Sequence, residues 1–242
     1  MTVAEMHFAV EQGLQKVGSN SFDTFLPEEL DFALNKMQER FVKQRFWSKS
    51  DPKQSGYYGT QKRIDDLRVL TVLDYSDDVA AMDADVDHED FDLPTDYMFL
   101  INSRVKLYYD DCGRAKLGAD TSAGEIEIEV DKYKKEVVLR IVEPDDAYNL
   151  LASPFAQSTH KSPMGIISDT FIKVFTNKRF LLKGVGLDYI REPSEISLSS
   201  NQDCELAEHT HQEIVDLTVK HLLEATEAPR YQTNSIEGSQ SE

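Results

Sequence analysis

Carboxylates crowd the stretch from Ser76 to Asp92: Asp77, Asp78, Asp83, Asp85, Asp87, Glu89, Asp90 and Asp92. Asp83, Asp85 and Asp87 alternate as the first three ligands of a calcium-binding EF-hand loop would. The rest of that pattern fails, because His88 stands where the loop needs glycine and Pro94 where it needs a bidentate glutamate. These residues read as a solvated charge run. His209 and His211 form a His-x-His pair, with His221 further on. Residues two apart on a helix do not share a face, and no nearby cysteine or well-placed carboxylate completes a metal site. They read as helix-cap and surface histidines.

Nucleophilic and phosphate-binding chemistry leave no trace either. There is no Gly-x-Ser-x-Gly elbow, no cysteine–histidine context and no phosphate loop. Gly184 and Gly186 around Val185 fall short of a dinucleotide fingerprint and read as a turn between strands. Cys112 and Cys204 lie far apart in no metal or redox spacing, which fits two reduced thiols. With carboxylates this abundant no acid–base pair stands out. The expectation is a non-enzymatic chain without catalytic residues, metal or cofactor.

The elements that would position any site follow from periodicity. Thr2 and Glu5 have capping-box spacing, and Val3, Met6, Val10, Leu14 and Val17 recur every three or four residues, so a helix is expected up to Gly18. Pro27, Glu28 and Glu29 suit a second helix start, followed by the stripe Leu30, Ala33, Leu34, Met37, Phe41 and Phe46. Packed antiparallel, the two would form a helical hairpin with Lys36, Glu39, Arg40 and Lys43 facing outward. A third helix is expected from Thr60 to Leu70, with Ile64, Leu67 and Leu70 inward.

Beyond Pro94 the pattern becomes β. Strands are expected over 98–109, 125–130 and 137–142, then 171–175, 179–182 and 187–190, with a short helix near Ala147 to Leu151. Thr210 and Glu213 open a last helix that Pro229 stops. Its inward residues are Ile214, Leu217, Leu222 and Ala225, with Val215 and Val219 widening the stripe until both flanks are covered. The expected class is α+β. It comprises a helical N-terminal region (1–75), an acidic exposed loop (76–92), a mainly antiparallel β domain (93–207), a C-terminal helix packing on the rest (208–228) and a flexible tail (229–242).

Composition bounds the partners. The 44 acidic and 26 basic side chains leave a formal charge of −18, which argues against wrapping a phosphate backbone. No run approaches the roughly 18–20 apolar residues of a membrane span, and no signal peptide is evident, so a soluble protein without a membrane partner is expected.

Three segments carry a resemblance: "FLPEELDFALNKMQERFVKQRF" with "QKRIDDLRVL", "DLPTDYMFL", and "VGLDYIREPSEISL" running to "HTHQEIVDLTVKHLLEATEAPRYQ". In this order, and over nearly the whole chain, they resemble the head-tail connector or ring proteins of crAss-like and related podoviruses. The resemblance implies a virion protein at the head-tail junction, assembled in the host cytoplasm. It would bind below the portal protein as one of about twelve copies in a homo-oligomeric ring, beside adjacent tail and ring proteins. DNA would pass through the channel without specific binding, and an acidic wall would keep it from sticking.

On this resemblance the candidate ring contacts are Arg40, Arg45, Arg63, Asp65, Asp66, Arg68, Arg230 and Tyr231. Against that, Asp65 and Arg68 are three apart and could simply pair within one helix. Two other readings compete: an internal virion cargo or scaffolding protein, and a metal-dependent hydrolase using acidic-loop carboxylates.

Overall fold

The computed structural model describes residues 1–17, 25–47, 62, 64–78, 87–108, 134–153 and 155–225. The chain forms two compact units, unit 1 from Met1–Leu70 with Glu192–Glu242, and unit 2 from Thr71–Arg191. The fold is mixed, with N-terminal helices, two largely antiparallel sheets and a C-terminal helix.

Unit 1 begins with the capping box. Thr2 N–H donates to Glu5 Oε2 at 2.9 Å and Glu5 N–H to Thr2 Oγ1 at 3.4 Å, opening α1 (Val3–Val17). Helix α2 (Pro27–Trp47) opens similarly, Leu26 N–H donating to Glu29 Oε2 at 2.9 Å. Val3, Met6, Val10 and Leu14 are buried, as are Leu30, Ala33, Leu34, Met37 and Phe41. A short helical segment α3 (64–67) follows. After an extended stretch, a 3-10 turn (Glu208–Thr210) leads into α5 (His211–Ala225).

The expected self-packed hairpin gives way to a different arrangement. Helices α1 and α2 each pack on α5 more extensively than on one another. Helix α5 can serve both because Ile214, Val215, Thr218, Val219, Leu222 and Leu223 are all buried, a stripe wider than one partner needs. Leu217 is only half-buried and Ala225 is exposed, so the stripe is rotated from the expected one. Gly13 permits the close approach of α1, since a Cβ there would lie 2.7 Å from Val219 Cγ2. In α3 and the turn after it, Leu67 and Leu70 are buried but Ile64 is exposed. The buried Asp66 lies two positions on, and a helix cannot turn both inward.

Unit 2 contains β1 (Thr71–Asp78), β2 (His88–Asp92), β3 (Tyr97–Tyr108), β4 (Lys134–Val138), β5 (Arg140–Ile141), α4 (Pro144–Ala152), β6 (Met164–Ile167), β7 (Phe171–Phe175) and β8 (Leu181–Arg191). One sheet has the order β1-β8-β3-β4, the other β2-β7-β6-β5, and β5–β6 is the single parallel pairing among the described strands. Both sheets contribute to one core, with Val105, Leu107, Val185 and Leu187 from the first and Phe91, Ile172 and Val174 from the second. Asn177 and Lys178 take left-handed φ values of 49° and 55° in the turn that carries the chain from β7 to β8, closed by Arg179 N–H on Thr176 O at 3.1 Å.

Several sequence expectations are corrected. The 76–92 stretch is not a loop throughout, because β1 runs to Asp78 and β2 starts at His88. The expected strands 179–182 and 187–190 are one strand, and Gly184 and Gly186 lie inside it, not in a turn. A Cβ on Gly184 would sit 2.6 Å from Asp77 O and 2.0 Å from Asp78 Oδ1, so glycine is what lets β1 pair there. Residues 192–207 belong to the helical unit and not to the β domain. The expected strand 125–130, Cys112 and the tail 229–242 lie outside the described residues. Among the described residues no helix is long and apolar enough to cross a membrane.

Candidate functional site

Polar side chains penetrate unit 1 in two places. The first is a ladder along α2 made by Asp31, Asn35 and Gln38, which share a face at spacings of four and three. Asn35 grips the backbone of Ile196 from both sides, its Nδ2 donating to Ile196 O at 2.9 Å and its Oδ1 accepting from Ile196 N–H at 2.7 Å. Gln38 Nε2 donates to Ser194 O at 3.0 Å, and the carboxylate of Asp31 accepts from Leu198 N–H at 3.0 and 3.2 Å. His7 of α1 meets Asp31 Oδ1 at 2.7 Å. The ladder thus satisfies an extended segment that has no sheet to join. Cys204 is a free, buried thiol near Gln38, and burial pushes its pKa up.

The second is a charged staple. Asp66 of α3, fully buried, lies with Oδ2 3.2 Å from Arg45 Nε of α2 and Oδ1 2.7 Å from His209 Nε2. The Arg45–Asp66 pair is close in charge but not aligned, since among the described residues neither Arg45 Nε nor Asp66 Oδ2 has a hydrogen-bond partner. Arg45 Nη2 also pairs with Glu213 of α5, and Glu213 Oε1 accepts from Lys62 Nζ at 3.0 Å. Burial pushes the Glu213 carboxyl up, but the Lys62 hydrogen bond and the Arg45 charge outweigh it and hold the group below its ordinary 4.5. The guanidinium of Arg45 lies 4.9 Å above the Phe41 ring. One arginine therefore ties α2 to α3 and α5.

A third feature lies on the outer side of α2. Lys36, Arg40 and Lys43, at spacings of four and three, line a groove of about 510 Å³ with Met37, Glu39 and, from α5, His221, Glu224 and Ala225. Lys36 Nζ is 3.3 Å from His221 Nε2. Burial lowers the His221 pKa, with the Lys36 charge next in effect, so the ring favours its neutral form.

Unit 2 carries its charges on a sheet surface. Arg104 Nη2 reaches Asp188 Oδ1 at 3.0 Å and also Asp74, whose left-handed φ of 58° marks a bulge in β1. Lys106 Nζ lies 3.3 Å from Asp78 Oδ1. Tyr189 donates to Asp96 Oδ1 at 2.9 Å, and burial, followed by that bond, pushes its pKa up to about 12. The acidic run is partly engaged here, Asp90 reaching Lys173 at 3.8 Å and Asp87 reaching Lys178 at 4.0 Å.

Of the residues singled out from sequence, Arg45 and Asp66 come together, but with each other and in the interior, not on an outer face. Arg40 lines the groove, while Asp65 and Arg68 are exposed on and beside α3. Arg63, Arg230 and Tyr231 lie outside the described residues. Of the histidines read as surface groups, His211 is buried and bonded to Leu206 O at 2.9 Å, and His209 closes on Asp66. Sequence reading missed Asp31, Asn35, Gln38 and Glu213. The signal for the first three is their i, i+4, i+7 spacing beside the apolar stripe of α2; for Glu213 the sequence spacing offers only a capping role beside Thr210. Among the described residues no group of three His, Cys, Asp or Glu is placed to hold a metal ion. The chain was compared with models of protein families and with curated proteins, and nothing matches in either comparison.

Proposed function

We propose that this chain is a structural subunit of a virion connector, a ring protein that sits below the portal around the DNA exit channel, and is not an enzyme. The observation that carries the reading is the outer surface of unit 1. Phe8, Leu26, Phe32 and Ile64 are 62 to 71 % exposed, although the inward stripes of the same helices are almost fully buried. Large apolar groups held out on a well-packed helical frame are anchors for a neighbour, and covering one phenyl contributes about 1.5–3 kcal/mol.

The polar interior supports the same reading. Asp31, Asn35, Gln38, Arg45 and Asp66 bind backbone or one another. A frame whose buried polar groups serve its own rigidity suits a part that must keep its shape in a stack of rings. The order of the three connector-like segments supplies the particular assembly. As a test, Phe32→Asp is expected to leave the thermal transition of the monomer unchanged and to abolish self-association in sedimentation. Self-association equal to that of the wild type would remove the anchor argument.

A further inference from the structure

Phe155 of unit 2 is 100 % exposed, the most open large apolar side chain among the described residues, and Tyr148 of the preceding helix α4 is 72 % exposed. The turn that carries Phe155 is nonetheless anchored. Ala156 N–H and Gln157 N–H donate to Ser153 O at 3.3 and 3.2 Å, and Arg140 Nη2 donates to Ala156 O at 3.1 Å. Three residues on, Ser158 is fully buried, its Oγ accepting from Met164 N–H at 3.1 Å. A phenyl held out on such a turn has little backbone freedom to lose when it is covered. Its surroundings also lack acid. From Ala147 to Ser168 there is no Asp or Glu, in a chain that has 44, while Arg140 and Lys161 are exposed. Two copies of so acidic a chain repel at long range, so a contact between them has to use places where carboxylates are missing or opposed.

Unit 1 offers a recess of matching character. A hollow of about 370 Å³ is lined by Phe25, by Phe32 and Ala33 of α2 and by Leu222 of α5, together with the exposed carboxylates Glu28 and Glu29. His221, whose ring favours its neutral form, completes the lining. Phe32 leaves 71 % of its surface in water there. We propose that Phe155 of one copy seats in this hollow of a second copy, with the adjacent Arg140 turned to Glu28 and Glu29. The contact names the neighbour that covers Phe32, and so rests on the reading of the chain as a self-assembling subunit. Knob and hollow lie at different places on the chain, which makes the contact head-to-tail, the kind that closes into a ring.

The test is sedimentation of the full chain over a range of concentrations. Phe155→Asp, at a fully exposed position, should leave the thermal transition unchanged and weaken self-association about tenfold or more. Mixing then assigns the contact to two copies. Phe155→Asp keeps the hollow and Phe32→Asp keeps the knob, so each should stay monomeric alone, and their mixture should form one-to-one pairs that grow no further. If Phe155→Asp associates like the wild type while Phe32→Asp does not, the anchor reading stands and Phe155 as its occupant is overturned. Two variants that stay apart on mixing overturn the contact between copies. A wild-type chain that is monomeric throughout overturns the self-assembly reading together with the contact.

Discussion

Each unit sets an arginine between two carboxylates, and the surroundings give the two arrangements different work. In unit 1, Arg45 is 17 % exposed and faces the fully buried Asp66 together with Glu213. In unit 2, Arg104 lies on an open sheet face between Asp188 and the largely exposed Asp74. Water screens the second arrangement, so it sets strand register at the β1 bulge more than it holds the sheet together. The first has little water to fall back on. Removing one partner there strands a charge in the interior, which is how a few residues can lock α2, α3 and α5 into one body.

The contrast is tested most strongly by making the same change twice. Arg45→Met should destabilise unit 1 by about 3–5 kcal/mol, because Asp66 loses its only cationic partner from α2. Arg104→Met should leave the denaturation curve of unit 2 unmoved. Equal effects in urea titrations followed by hydrogen exchange would contradict the distinction. A somewhat smaller loss is expected where unit 2 depends on close backbone approach. Gly184→Val should cost about 1–3 kcal/mol by forcing β1 away from β8, with exchange protection lost first in β1.

The smallest effects lie in the pH dependence. Glu213 is held below its ordinary 4.5, so its contribution to unit 1 is present above that pH and fades as pH falls through the lowered value. Tyr189 is raised from 10.0 to about 12, so its contribution to unit 2 is complete below pH 10 and fades as pH rises towards 12. Glu213→Gln should flatten the acid limb seen by circular dichroism of the helices, and Tyr189→Phe the alkaline limb seen by tyrosinate absorbance. Flattening on the opposite limb in either variant would refute the assignment.

The two units also differ in how much of them could be read from sequence. Helices α1, α2 and α5 were legible because one face of each is apolar at a period near 3.6, and Thr2 with Glu5 marked a true start. Strand β7 was legible from its run of β-branched and aromatic residues. Strands β1 and β2 were hidden, since β2 buries only Phe91 and both are rich in aspartate, as a loop would be. Gly184 misled because a close approach between strands and a turn both call for glycine. Arg45 and Asp66 were expected as ring contacts but face each other in the interior, because charge alone does not say whether a group faces a neighbour or its own core. That depends on bringing together residues 21 positions apart, which no local spacing encodes.

The central claim is that many copies of this chain encircle one channel. Counting copies at the head-tail junction of the intact virion by electron microscopy, with quantitative mass spectrometry of the same particles, tests it directly. The account predicts about twelve copies arranged as a closed ring against the portal. One or two copies per particle, or a chain lost from particles that keep their tails, would contradict it.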